Sequence, residues 1–357
     1  MHVVPWGGGP EDAGGIGVIG EMRAVGVGSA ARLAVWPDRA LGVEMQRPQL
    51  VALRAGIVGW LRCAPLRFVA RVDLAELNRP IPVASGPLAA TVSALTDDLY
   101  ARWSPAGPAS FLIGRGPVVW SKTRQWEESD DPGGAPPFLI DRVAPDRRWG
   151  LTFLGDLGAM SYAAGVYEDL DEVEPRPRPE DASAGGWIAS AAHLEWTPIG
   201  PMRRPATAGA VWPMPSPRSD PWYTTPRASL GLGVLWRVDE GGASRIDVAF
   251  STQSKWRWTA LLAEAVITSQ GGETVVGGHG GVVLTPIDRL ALTGRIEWDP
   301  GAGVDGRRAL LGGVTWHPTW QKTKDRRNKI GLIGWVRRDV ERGTMFDGVV
   351  VLLQAVL

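Results

Sequence analysis

From Arg227 to Val238 every even-numbered position is apolar (Ala228, Leu230, Leu232, Val234, Trp236 and Val238), while the odd positions include Arg227, Ser229, Gly231 and Arg237. A period of two puts one face of an extended strand in an apolar medium and the other in water. The pattern recurs along the chain. Arg245, Asp247, Ala249 and Ser251 alternate with Ile246, Val248 and Phe250. Leu290, Leu292, Gly294, Ile296 and Trp298 oppose Arg289, Thr293, Arg295 and Glu297, and Leu66, Phe68, Ala70, Val72 and Leu74 oppose Arg67, Arg71 and Asp73. Strands that are nearly all two-sided leave no surplus of apolar residues to fill a core between sheets. Closure into a cylinder, apolar outside and wetted inside, satisfies both faces and removes the sheet edges.

Sixteen candidate strands can be read: Ala24–Trp36, Gln49–Arg62, Leu66–Glu76, Thr91–Trp103, Phe111–Trp120, Arg148–Gly158, Met160–Glu168 and Trp187–Trp196 in the first half, then Arg227–Val238, Arg245–Ser251, Trp256–Thr268, Thr274–Leu284, Arg289–Trp298, Arg308–Trp316, Lys329–Arg337 and Gly348–Leu357. Single-chain bacterial barrels have an even strand number, and sixteen strands enclose an aqueous channel. The pattern predicts an all-β fold, a transmembrane antiparallel β-barrel of sixteen strands over residues 24–357, preceded by a disordered segment, 1–23. A soluble sandwich or propeller would explain the strands but not the alternation on both faces, and no blade-length repeat is present.

Ser121–Arg147 is a long break between two clear strands. An irregular loop of that length is foreign to a compact soluble domain, whereas in a large barrel an external loop can fold into the lumen. Counting hairpins from a periplasmic N-terminus makes 121–147 the third external loop and the predicted constriction. Its four basic residues (Lys122, Arg124, Arg142, Arg147) against six acidic ones (Glu127, Glu128, Asp130, Asp131, Asp141, Asp146) give a net charge of 4 − 6 = −2. Asp169–Gly186 reads as an acidic, Pro-bearing loop. Thr197–Pro226 is Pro-rich and irregular, and is too long for the periplasmic turn expected at its place.

Charge balances at 38 basic and 38 acidic side chains, without the basic excess of a nucleic-acid partner. Cys63 is the one cysteine, so no internal disulfide forms. Among the 18 Trp residues, Trp36, Trp103, Trp120, Trp149, Trp196, Trp298, Trp316 and Trp335 fall near strand ends, where a bilayer interface places indole rings. On the polar faces Arg67, Arg71, Arg227, Arg237, Arg245, Arg289, Arg295 and Arg337 outnumber Asp73, Asp247 and Glu297. A wall of arginine favours anions; alternatively, such residues pair with carboxylates across neighbouring strands. No nucleophile accompanies His193 and Glu195, and His279 and His317 are isolated, so neither a catalytic set nor a metal site is expected. Gly277–Gly281 lacks the following helix of a phosphate cradle.

Ile113-Gly-Arg115, then Phe138-Leu-Ile-Asp-Arg142, Pro145-Asp-Arg-Arg-Trp-Gly150 and Gly155-Asp-Leu-Gly158, follow one another around the loop. Arg295-Ile-Glu-Trp298 and Gly312-Gly-Val-Thr-Trp-His-Pro318 follow near the end. With these motifs the chain resembles the phosphate-selective porin family of Gram-negative outer membranes. The resemblance implies a sixteen-stranded, usually homotrimeric diffusion channel in outer-membrane lipid, without a cofactor, that passes phosphate or other small anions. Arg115, Arg142, Arg147 and Arg148 match its motifs. With Lys122 and Arg124 of the loop and Arg67, Arg71, Arg237 and Arg295 of the wall, they make up the expected pore-lining set. Met1–Met22 lacks the charged start and apolar core of a secretory signal, so a leader is expected upstream. A barrel that does not conduct, and serves as anchor or scaffold for an envelope assembly, is the alternative.

Overall fold

The fold was derived from a computed structural model, which describes residues 14–28, 49–61, 66–73, 96–105, 109–123, 137, 140, 143, 147–169, 187–199, 225–238, 244–287, 289–299, 307–317, 329–339 and 345–356. Among these, sixteen strands follow one another: β1 (Gly14–Gly28), β2 (Gln49–Leu61), β3 (Leu66–Asp73), β4 (Thr96–Trp103), β5 (Ala109–Pro117), β6 (Arg147–Leu157), β7 (Met160–Asp169), β8 (Trp187–Ile199), β9 (Arg227–Val238), β10 (Ser244–Trp256), β11 (Thr259–Gln270), β12 (Glu273–Ile287), β13 (Leu290–Asp299), β14 (Arg307–Trp316), β15 (Lys329–Asp339) and β16 (Met345–Val356). Each pairs antiparallel with the next, and β1 pairs with β16 (Glu21 opposite Val356), which closes the barrel.

The alternation in the sequence becomes the two faces of the wall. On β8, Ile188 is 65% exposed while Ala189 beside it is fully buried. Outward positions across the barrel carry exposed Ile113, Leu151, Leu232, Phe250, Ile296 and Leu310. Inward positions carry buried Asp98, His193, Glu195, Asp247, Glu264, His279 and Glu297. This polarity is the reverse of a water-soluble protein, and it suits a cylinder standing in lipid.

The two ends of the barrel differ. One end bears the long connections 29–48, 74–95, 118–146 and 170–186, and the other bears tight ones such as 104–108, 158–159 and 257–258. The exceptions at the second end are 200–226, the Pro-rich piece, and 317–328. Residues 271–272 join β11 to β12 at the first end with φ of 59° and 86°, the left-handed pair that a two-residue hairpin turn requires and glycine supplies.

Several boundaries differ from those expected. β1 begins at Gly14, so part of the segment read as disordered, 1–23, belongs to the wall. Its glycines (Gly14, Gly15, Gly17, Gly20) mask the alternation of Ile16 and Val18. β10 runs on to Trp256 and turns at Arg257–Trp258, so Trp256 closes that strand instead of opening the next. β8 takes in Thr197 to Ile199, with a register shift between Trp196 and Ile199 around Pro198, which has no N–H for the ladder. β5 ends at Pro117, and Val118–Trp120 leave the wall altogether.

Candidate functional site

Pro117 is the last residue of β5. Beyond it the chain turns into the bore, and Val118, Val119, Trp120, Ser121, Lys122 and Thr123 are all buried there. This stretch forms a strap. Trp120 is therefore not part of the aromatic belt predicted for it. Exposed Trp103, Trp196, Trp256 and Trp316 stand at the short-turn end, and exposed Trp236 and Trp298 at the other. Trp36 lies outside the described residues.

The strap docks on one arc of the wall, β7 to β12. Val119 N–H donates to the Tyr167 hydroxyl on β7 (3.3 Å), which also pairs with Thr152 of β6 (2.9 Å). Lys122 reaches Glu195 of β8 with its ammonium group at 2.6 Å from Oε1 and also donates to Ser229 of β9. Lys122 N–H (3.2 Å), Thr123 N–H (3.3 Å) and the Thr123 hydroxyl (2.5 Å) all donate to the carboxylate of Glu264 on β11. Thr123 Oγ1 also lies 3.1 Å from His279 Nε2 on β12. On the returning limb, Ile140 and Val143 are buried, and the Val143 carbonyl accepts from Arg237 of β9 at 2.7 Å.

Small inward residues make room for this packing. Ala163, Ala189, Ala191 and Ala249 join Val118, Val119, Trp120, Ile140, Val143, Tyr167 and Leu235 in one apolar cluster inside the barrel. Gly233 gives the closest approach. A Cβ there would sit 1.5 Å from the Trp120 carbonyl oxygen.

The predicted pore-lining residues separate into groups. Lys122 and Arg237 are structural clamps, since their charges meet Glu195 and Asp247. Asp247 is fully buried and accepts from Arg237 (3.0 Å), Arg245 (2.9 Å) and the Thr268 hydroxyl (2.6 Å). Arg71, Arg147 and Arg148 are buried, and Arg71 and Arg147 meet one carboxylate, Asp98, at 2.6 and 2.8 Å. Arg67 shares its strand face with Val69 and Arg71 and stands opposite Arg102. Arg295 pairs with Glu297 at 2.5 Å. Arg115 is half-buried on β5, opposite Leu99 of β4 and Trp149 of β6. Arg124 and Arg142 lie outside the described residues. Glu195, Glu264 and His279 were not foreseen as the strap's partners. Their signal was a titratable residue at an inward position, between Leu194 and Trp196 for Glu195, between Ala263 and Ala265 for Glu264, and between two glycines for His279.

No family model matches the sequence, and comparison with characterised proteins finds no match. Solved structures do match along nearly the whole chain. The anion-selective porin from Comamonas acidovorans aligns with a TM-score of 0.58 and 12% identity over 96% of this chain and 100% of its own. The fold is that of an outer-membrane porin. The loop-deleted form of OmpT, an outer membrane protein of Vibrio cholerae, aligns at 0.54 with 9% identity, over 97% of this chain and 100% of its own. OmpF of Salmonella typhi, in complex with daunomycin, aligns at 0.52 with 10% identity over 97% and 98%. At these identities the likeness concerns the barrel architecture. Among the described residues no group of three or more His, Cys, Asp or Glu side chains is arranged to hold a metal ion.

Proposed function

We propose that this chain is an outer-membrane porin, a passive diffusion channel for small anionic solutes, phosphate among them. The carrying observation is the placement of cationic side chains relative to the strap. The strap occupies the β7–β12 arc, where its contacts consume Lys122 and Arg237. On β3 and β4, Val69 and Tyr100 join the strap's apolar cluster, while Arg67 and Arg102 stand half-buried beside them and Asp98 lies between buried Arg71 and Arg147. The half-buried Arg67 and Arg102 are the guanidinium groups of these strands available to a passing solute, and such groups bind phosphate-like oxyanions in a planar, two-pronged manner. The likeness to an anion-selective porin supports the same reading.

The test is electrical. Reconstituted in a planar bilayer, the protein should give steady conductance, and its reversal potential in a KCl gradient should take the sign of chloride preference. Cation preference would overturn the anion reading, and electrical silence would favour the anchor or scaffold. Homotrimer assembly belongs to the same proposal and is read from the mass of the detergent-extracted complex.

A further inference from the structure

We infer that the strap's seat, and with it the bore, is set by two carboxylates that lie outside the loop, Glu195 and Glu264. This deepens the channel reading and rests on it for the bore alone. Glu195 and Glu264 sit on β8 and β11, three and six strands along the wall from β5, where the strap leaves it. The two act differently. Glu264 holds the tip by geometry, accepting both backbone N–H groups of Lys122 and Thr123 together with the Thr123 hydroxyl. Glu195 holds it by charge, because the buried Lys122 ammonium donates to the Glu195 carboxylate and to the Ser229 hydroxyl. Neutralising one member of such a pair strands the other charge in a desolvated site, whereas removing both is close to neutral. The tip should therefore come off the wall in either single variant and reseat in the double one.

Val119 provides a reporter, since it is fully buried on the strap and close in size to cysteine. In the full-length chain carrying C63A and V119C, thiol labelling is measured after refolding, with heat-shifted electrophoresis verifying the closed barrel. E195Q, K122M and E264Q should each speed labelling by about tenfold or more, the scale on which a stranded buried charge or a lost set of carboxylate bonds acts. K122M/E195Q should return to the slow rate of the parent, while K122M/E264Q should not. Conductance is recorded on the same proteins, with enlarged steps expected wherever labelling is fast. Equal labelling in all variants, or a fast K122M/E195Q double, would overturn the latch. Fast labelling in the singles and a slow double, in a barrel that never conducts, would uphold the latch and overturn the channel.

Discussion

The carbonyl oxygen of Trp120 lies 1.5 Å from the point at which a side chain on Gly233 would begin. The strap and β9 thus fit only because that position has no Cβ. Gly233→Val should leave the sixteen-strand wall closed and force the strap backbone away from β9 into the bore, at about 1–3 kcal/mol in stability as overpacking does. The readout is equilibrium unfolding in lipid vesicles together with a broader, noisier single-channel step. A variant with the parent's stability and step size would contradict this contact.

Asp247 is the acceptor for Arg237, Arg245 and Thr268, and through Arg237 it steadies the Val143 carbonyl on the strap's returning limb. Asp247→Ala leaves two guanidinium groups around an empty place inside the wall. A loss of about 3–5 kcal/mol is expected, as when one partner of a buried pair is removed. A parallel Arg245→Ala should cost less, because Arg237 then retains the carboxylate.

Asp98 stands between Arg71 and Arg147 at 2.6 and 2.8 Å. Asp98→Asn removes negative charge from the β3–β4 wall while preserving shape, so the reversal potential in a KCl gradient should move further toward chloride. An unchanged reversal potential would mean that permeating ions do not pass this wall.

Ile113 is 64% exposed on the outward face of β5. On a water-soluble protein Ile113→Arg would be nearly silent. In a bilayer it should destabilise the barrel by about 2–4 kcal/mol, measured by urea unfolding from phosphocholine vesicles. An indifferent result would place that face in water.

The strand pattern was legible wherever inward and outward residues differ in polarity, as on β9, where Leu230, Leu232 and Trp236 face out and Ser229 and Gly233 face in. It failed where glycine carries no polarity at all, which hid the start of β1. It is also interrupted at Gly114, whose φ of 128° breaks the alternation of β5 just before Arg115. The strap's wall could have been found from another signal. Ala189, Ala191, Gly231, Gly233 and Ala249 are small residues at successive inward positions of β8 to β10. Small inward side chains on adjacent strands mark the part of a wide barrel that another segment fills, and large cationic ones mark the part left to water. What periodicity cannot supply is which charge meets which across the lumen, since Lys122 and Glu264 are 142 positions apart.

The anchors of the strap span β7 to β12, while the first and last strands join on the other side of the cylinder. Assembly can therefore seat the crossbar on an open, curved sheet and zip the seam afterwards, with no need to thread a loop through a finished tube. Disulfide trapping during refolding would test this order: a bond between strap and β9 cysteines should form before one between β1 and β16.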